Sequence, residues 1–376
     1  MSPREPGGQR LTRRAVLQGA AIVAAGALGV ACQGSREAPP APAAPAAPPP
    51  SAPGGAASTS RTSAPAKPAV ALARPEKIKI AWTAVTGAQS GVYVAYEMGT
   101  WRDLNLDVDL IRMGSSSQMA AALRAGELDG GVLDWTLAFQ FQAQGGNARE
   151  VAAITNRQPF SVMAQPSITR PQEVVGKRWG ITRIGSAVHT ASLVALDQWG
   201  LRPDDVQFLA LQEVPAILAA LQAGQIDVGV VSPPTNIRAI QAGFRELLDL
   251  AEDGPEYPSV GLAIIERHIT ENPALVRAYV AGYGAGVARF RKDREGSLEV
   301  LRKYLQLDDQ SVLEETYARF SRYLMLPPTL PPTASLERVK EDAIKGDASV
   351  ANVSFADVAD SRFVDELIGQ GYFASL

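Results

Sequence analysis

Few side chains in this sequence could hold a metal ion or form a disulfide. Its 376 residues include one cysteine, Cys32, and two histidines, His189 and His268. A single cysteine excludes a disulfide within the chain and a thiolate zinc site, and two histidines leave little room for a histidine-based site. A Ser-His-Asp triad would have to use one of the two histidines. We therefore predict neither a metal site nor a cofactor.

Positive charge is scarce outside the N-terminal part of the chain. Residues 1–75 carry eight Lys or Arg and two Asp or Glu, whereas residues 76–376 carry 28 basic and 37 acidic residues. An acidic body without a run of Lys or Arg argues against nucleic-acid binding, because the phosphates must be met by cations. Hydrophobic residues make up 46% of the chain, which is enough for a buried core.

The N-terminus has the pattern of an export signal. Residues 1–14 are polar and contain four arginines, and an apolar stretch of about 17 residues follows at 15–31. The adjacent Arg13 and Arg14 resemble a twin-arginine signal. The sequence GVAC at 29–32 resembles a lipoprotein processing site that ends in a lipidated Cys32, although Gly replaces the usual Leu. A retained membrane helix is the alternative, but the apolar run is shorter than the ~20 residues that span a bilayer.

Residues 33–75 are predicted to form a disordered tether. Eight of the fifteen residues at 39–53 are proline, and alanine fills most of the gaps. Proline fixes φ and lacks an amide donor, so this segment favours extended polyproline conformations. The tether has almost nothing to bury. We therefore expect the remaining chain to work beside a membrane and to contact it only through the N-terminal anchor.

Strands alternate with helices through the first part of the body. Strand patterns occur at 77–81, 106–111 and 130–134. Helices are predicted between them, and this alternation is typical of a parallel sheet covered by helices. Beyond residue 270 the patterns are helical, and one of them predicts a single helix over 355–369.

A repeat divides the body into two similar halves. Residues 121–132 (AALRAGELDGGV) and 219–230 (AALQAGQIDVGV) are identical at eight of twelve positions, 98 residues apart. We therefore predict an α/β fold of two similar lobes joined by two hinge strands, with a ligand cleft between the lobes and a helical C-terminal part. The first lobe is predicted to comprise residues 76–156 and 259–376, and the second lobe residues 157–258.

The body resembles solute-binding proteins of the nitrate/sulfonate/taurine type. The resemblance rests on IKIAWTAVTGAQSGVYVAYEMGTWRDLNLDVDLIRMGSSSQMAAALRAGELDGGVLD, on GKRWGITRIGSAVHTASLVALDQWGL, on VPAILAALQAGQIDVGVVSPP and on ENPALVRAYVAGYGAGVARF. It covers roughly residues 76–325. It implies the periplasmic binding protein type II fold, a small molecule held between the lobes, and an ABC permease as the partner that receives the closed form.

The loops that follow the strands supply the candidate binding residues. In open α/β sheets, ligands lie beyond the carboxyl ends of the strands, where helix starts offer backbone amides to an anion. The predicted ligand-binding residues are Trp82, Gln89, Ser90, Ser115, Ser116, Ser117, Asp134, Trp135, Thr136, Phe160, Arg183, Ser186, Glu213 and Ser232.

Several of these residues have a purely structural alternative. Serine commonly caps a helix with no ligand present. Trp82 and Trp135 either stack on a ligand or pack beneath their loops. Asp134 either accepts a hydrogen bond from a ligand or caps its own helix. Arg183 is the leading candidate for pairing with an anion, while Glu213 faces solvent, pairs with Arg183 or binds a ligand cation.

The predicted function is capture of a small, anionic organic molecule by closure of the lobes, followed by delivery to the permease. The protein is expected to be an exported, lipid-anchored monomer without catalytic residues. A ligand-sensing lipoprotein that reports to a signalling partner is the alternative. An enzyme similar to those that make the pyrimidine precursor of thiamine is a further alternative, but such enzymes use a Cys-rich motif, and here the single cysteine lies in the export signal.

Overall fold

The computed structural model describes residues 70–376. The strands in this range are β1 (Glu76–Trp82), β2 (Leu106–Arg112), β3 (Gly130–Asp134), β4 (Ala148–Ala153), β5 (Ser161–Ala164), β6 (Arg178–Ile181), β7 (Gln207–Ala210), β8 (Val228–Val231), β9 (Arg245–Asp249) and β10 (Val260–Ile265). The α-helices are α1 (Ser90–Glu97), α2 (Ser116–Arg124), α3 (Trp135–Ala143), α4 (Ala187–Gln198), α5 (Val214–Gln222), α6 (Thr235–Gln241), α7 (Glu266–Glu271), α8 (Pro273–Lys292), α9 (Arg294–Leu305), α10 (Gln310–Tyr323), α11 (Thr333–Gly346), α12 (Phe355–Val358) and α13 (Arg362–Gly369).

The strands form two five-stranded sheets of the same topology. The sheet of lobe 1 has the order β2-β1-β3-β10-β4, and the sheet of lobe 2 has the order β7-β6-β8-β5-β9. In each sheet the first three strands are parallel, and the fourth, β10 or β5, runs antiparallel to both of its neighbours. The predicted fold class of two similar α/β lobes is confirmed.

The sequence repeat has the same structural role in both lobes. Asp129 precedes β3, and its carboxylate accepts a hydrogen bond from the backbone N–H of Lys79 at 2.8 Å. Asp227 precedes β8, and its carboxylate accepts from the backbone N–H of Arg178 at 3.0 Å. Each aspartate therefore fastens the start of the third strand in the sheet order, β3 or β8, to the adjacent second strand, β1 or β6.

The chain crosses between the sheets twice, from β4 to β5 and from β9 to β10. We propose that the lobes divide at 156/157 and 258/259. After β10 the chain stays with lobe 1, where α8 packs against α1 and α11 packs against α3. Buried Tyr279 and Tyr283 on α8 contribute to this core.

Two local expectations are wrong. Val70 and Leu72, at the end of the predicted tether, are buried, and Leu72 donates its N–H to Leu104 O at 2.9 Å, because these apolar side chains find a place in the lobe 1 core. The single helix expected over 355–369 is divided into α12 and α13. The division occurs because Ala359 forms a β-bridge with Glu150, which removes it from the helix.

The predicted export signal (1–32), its Cys32 and tether residues 33–69 lie outside the described residues. Within residues 70–376, none of the helices combines the length and the apolar character needed to cross a bilayer.

Candidate functional site

A cavity lies between the two sheets, beyond the carboxyl ends of β1, β2 and β6. Its volume in this closed structure is about 50 Å³, which is room for a few water molecules. Its polar lining consists of Thr83, Thr86, Gln89, Arg112, Ser115 and Ser116 from lobe 1, Thr182, Ser186, Glu213 and Ser232 from lobe 2, and Ser259 at a crossover. Both lobes thus contribute walls to one cavity.

The loop after β1 is braced by Gln89. Its Oε1 accepts from the backbone N–H of Thr83 at 3.0 Å, and its Nε2 donates to Thr83 Oγ1 at 2.9 Å. Gln89 is 2% exposed and keeps one amide hydrogen for another partner. Gln89 therefore both shapes the loop and presents a donor to the cavity.

Serine residues begin two of the helices that face the cavity. Ser115 caps α2 by accepting from the N–H of Gln118 at 3.3 Å, and Ser186 caps α4 by accepting from the N–H of His189 at 3.3 Å. Each serine is thus an ordinary N-cap, a role that needs no ligand. Both hydroxyls nevertheless line the cavity, so capping and exposure to a solute coexist in these residues.

Direct contacts join the lobes over the cavity. Ser232 Oγ donates to Thr86 Oγ1 at 2.8 Å, and Gly87 N donates to Pro233 O at 3.0 Å. At the mouth, Arg112 on β2 forms a 3.0 Å ion pair with Glu213, which precedes α5. Both side chains of this pair are nearly half exposed, at 45% and 47%. The lobes are therefore closed on each other in this structure.

Half of the predicted ligand-binding residues line the cavity. Its lining includes the predicted residues Gln89, Ser115, Ser116, Phe160, Ser186, Glu213 and Ser232. Trp82, Ser90, Ser117, Asp134, Trp135, Thr136 and Arg183 are absent from the lining. Ser117 and Thr136 instead line a second groove, which also runs between the lobes, beside α3 and α4. Ser90 donates its hydroxyl to Gly87 O at 2.6 Å.

Both candidate tryptophans pack inside the protein. Trp82 is 7% exposed and contacts Tyr93 and Tyr304 edge-on, with ring centroids 5.2 and 5.6 Å apart. Trp135 is fully buried in the hydrophobic core. Both tryptophans therefore pack beneath their loops, which is the structural alternative to stacking on a ligand. Burying an apolar ring in the core lowers the free energy more than placing it in a polar cleft.

The cation at the cavity is Arg112 rather than Arg183. Arg112 is the last residue of β2, and its guanidinium lies 5.6 Å from the centre of the Trp82 ring. Its partner is Glu213, so the suggested Arg183–Glu213 pair does not form. A signal for Arg112 was available, since it ends a strand at the same sheet edge as the predicted loops. Thr83, which directly follows β1, carries the same signal and was also missed.

Asp134 caps α3 with one oxygen and leaves the other without a partner. Oδ1 accepts from the N–H of Leu137 at 3.0 Å, whereas Oδ2 is buried and unpartnered. Burial raises the pKa of Asp134 to about 7, and the hydrogen bond from the backbone of Leu137 only partly opposes this rise. Asp134 therefore caps its own helix, as the alternative predicted, but uses only one of its two carboxylate oxygens to do so.

Known proteins of similar sequence or fold include binding proteins and an enzyme. The taurine-binding periplasmic protein of Escherichia coli K12 is 31% identical over 121 residues, which cover 32% of this chain and little more than a third, 37%, of that relative. The alkanesulfonate-binding protein SsuA of Xanthomonas axonopodis pv. citri, solved with bound MOPS, superposes with a TM-score of 0.63 at 20% identity, over 76% of this chain and 96% of that one.

The enzyme is the desulfurization enzyme DSZB, whose structure superposes with a TM-score of 0.59 at 16% identity, over 78% of this chain and 99% of that one. The two solved structures share the fold with this chain. A family model described as NMT1/THI5 like matches residues 87–295, more than half of the sequence. The chain belongs to the NMT1/THI5-like family.

Proposed function

We propose that this chain is an extracytoplasmic solute-binding protein that captures a small organic anion between its lobes and delivers it to an ABC permease. The observation that carries the proposal is a cavity closed by contacts from both lobes, above all the Arg112–Glu213 pair. A solute that touches both walls binds the closed form more tightly and shifts the population towards it.

The lining favours an organic anion with an apolar part. Hydroxyl groups and the first amides of α2, α4 and α5 meet there, and helix starts attract negative charge. Phe160, Val188 and Val260 supply apolar walls. We propose Gln89, Ser115, Ser116, Phe160, Ser186, Glu213 and Ser232 as solute contacts, with Arg112 added from the structure.

An enzymatic role lacks suitable groups in this cavity. Neither histidine lines it: His268 pairs with Asp129 at 2.9 Å, beyond the opposite end of β3, and His189 accepts from the N–H of Gly185 at 3.2 Å. Among residues 70–376, its lining contains one carboxylate, Glu213, which is held by Arg112. General acid–base chemistry needs a proton carrier within reach of the substrate, so binding is the better supported role.

The test is a thermal-shift screen of the full chain with sulfonates, nitrate, aromatic carboxylates and pyrimidines. A solute at a hundred times its dissociation constant adds about 2.7 kcal/mol of stability, which raises the melting temperature by a few degrees. We expect one chemical class to do so, and Ser116→Phe to abolish the shift by filling the cavity. Ser117→Phe is the matched control, because Ser117 faces the other groove. A shift that survives Ser116→Phe would contradict the proposed site.

Delivery to a permease is tested separately from binding. Loss of this chain should abolish uptake of the solute into cells. Unchanged uptake, together with loss of a transcriptional response to the solute, would instead support the ligand-sensing alternative.

The proposal for the location of the protein rests on the N-terminal sequence. We propose that residues 1–32 are a twin-arginine signal, that Cys32 is lipidated, and that residues 33–69 tether a monomeric body to the outer face of a membrane. Cys32→Ser should release the protein from the membrane fraction, whereas the Arg13→Lys/Arg14→Lys double variant should retain it in the cytoplasm. Membrane attachment that persists in Cys32→Ser would contradict lipidation.

A further inference from the structure

A groove separate from the solute cavity lies beside the two crossovers, where α8 and α10 of lobe 1 end. Its volume is about 580 Å³, which is typical of small-molecule sites, whose volumes span roughly 300–1,000 Å³. Pro159 lines both the groove and the cavity, so the two adjoin at the first crossover. We call this groove the hinge groove and define it by Thr155, Asn156, Arg157, Glu256, Arg291 and Arg322.

The hinge groove is basic although the body of the protein is acidic. Residues 76–376 carry 28 basic and 37 acidic residues, whereas three arginines against one glutamate leave this groove with an excess of two positive charges. The glutamate, Glu256, accepts a hydrogen bond from the side-chain amide of Asn156. Arg322 contacts Glu252 at 3.4 Å, but these side chains are 67% and 54% exposed, so solvent screens the pair.

Backbone carbonyls hold the other two guanidinium groups in place. Arg157 Nη1 donates to three carbonyl oxygens of the turn at 251–254, at 3.1 to 3.4 Å. Arg291 Nη2 donates to Leu324 O at 2.6 Å. The ion pairs among residues 70–376 include neither of these arginines. A guanidinium bound to carbonyls is fixed in position, yet it keeps its full charge and further N–H donors.

The groove also contains a buried hydroxyl without a partner. Thr155 is 1% exposed, and its Oγ1 has no hydrogen-bond partner among residues 70–376. A buried polar atom in this state costs about 1–3 kcal/mol. Because the hydroxyl is a hydrogen-bond donor in a positively charged groove, an oxyanion is the occupant that satisfies it.

We propose that the hinge groove is a second binding site, which takes a small soluble oxyanion with at least two negative charges, such as a phosphate or a polycarboxylate. The guanidinium groups of Arg157 and Arg291 meet its charges with a donor fork that suits phosphate and carboxylate oxygens, and the hydroxyl of Thr155 donates to one oxygen. The occupant ties the first crossover to α8. This site does not depend on the identity of the solute held between the lobes.

Calorimetric titration of the full chain with pyrophosphate and with citrate tests the site. The ionic strength is held constant, because salt screens exposed charges. We expect at least one of the two anions to bind, and Arg291→Gln to weaken that binding at least ~tenfold by removing a fixed charge. Arg289→Gln is the matched control, since Arg289 lies on the same helix outside the groove lining. It should bind within about twofold of the parent.

Two further variants separate this site from diffuse attraction and from the solute cavity. Thr155→Val leaves the charge unchanged and breaks no hydrogen bond of the free protein, so a severalfold loss of anion binding would support a built site. Ser116→Phe, which fills the solute cavity, should leave anion binding unchanged. Equal losses in Arg291→Gln and Arg289→Gln, or a loss in Ser116→Phe, would overturn the hinge site.

The source of the anion is tested with vesicles of phosphatidic acid. Sedimentation of the full chain with these vesicles should be the same for the parent and for Arg291→Gln. A loss in the variant would assign the groove to a lipid headgroup and overturn a soluble ligand. Absence of binding by both pyrophosphate and citrate would overturn the site altogether. Solute capture between the lobes would still stand in either case, because the thermal-shift screen and Ser116→Phe test it independently.

Discussion

Neighbouring loops place similar residues inside and outside the cavity, and Arg112 and Arg183 are the clearest example. Arg112 lines the cavity and pairs across the lobes, whereas Arg183 is absent from the lining. Arg112→Ala should weaken binding of the solute identified by the screen about tenfold, which corresponds to about 1.4 kcal/mol. The effect is modest because the ion pair is half exposed. Arg183→Ala should stay within twofold of the parent in the same titration, and an equal loss in both variants would contradict the assignment.

A second prediction for a single residue concerns Asp134 and the folding stability of the protein without a solute. Its pKa rises from 3.8 to about 7 on folding, so the folded chain holds a proton in this range that the unfolded chain has lost. Stability contributed at this site is therefore lost as the pH rises from 3.8 to about 7. Asparagine does not titrate and still caps α3.

Asp134→Asn should match the parent below this range and exceed it above, as measured by urea unfolding at several pH values. The gain should reach ~2–4 kcal/mol, since one pKa unit corresponds to about 1.4 kcal/mol. Glu150 and Tyr257, the other titratable groups coupled to Asp134, are the same in both proteins. A gain independent of pH would show that the carboxyl is not the cause. Replacing a buried acid is expected to stabilise a protein when the acid is kept for function despite its cost in folding stability.

At the scale of elements, the repeat places glycines where the backbone demands them. Gly131 in β3 has a φ of +147°, and a Cβ there would lie 2.4 Å from Ala81 O. Gly126, which follows α2, has a φ of +72° with open space around an added Cβ. Gly131→Ala should cost at least ~3 kcal/mol, because backbone of a paired strand cannot yield. Gly126→Ala should cost ~1–2 kcal/mol, the penalty of the left-handed conformation alone. Urea midpoints of the two variants check this order.

Elements and loop positions could be predicted because their signals are local. The strand–loop–helix order places Gln89, Ser115 and Ser186 at helix starts, and the structure finds them there. The tryptophans could not be placed in this way, because Tyr304, which packs on Trp82, lies more than two hundred residues along the chain. Ser259 was missed for a related reason. It precedes a strand that returns from lobe 2, so its position at the cavity follows from the topology.

At the scale of the whole molecule, contacts between the lobes differ in their distance from the crossovers. Arg319 on α10 pairs with Asp249 at 3.0 Å, with side chains 19% and 12% exposed. Asp249 ends β9, directly before a crossover. Arg112 and Glu213 meet instead at the mouth of the cavity. Rotation about the crossovers moves the mouth most, so we expect the Arg319–Asp249 pair to persist when the lobes open and the mouth pair to break.

This difference predicts opposite thermodynamic signatures for two conservative variants. Asp249→Asn weakens a contact present in both states, so it should lower the unfolding free energy by about 1–2 kcal/mol with and without solute and leave affinity unchanged. Glu213→Gln removes a contact of the closed state alone, so it should barely change the melting temperature of the free protein. It should, however, reduce the solute-induced rise in melting temperature, because closure loses part of its driving force. Loss of affinity in Asp249→Asn equal to that in Glu213→Gln would show that both pairs open together, and closure would then be a separation of the lobes without a fixed axis.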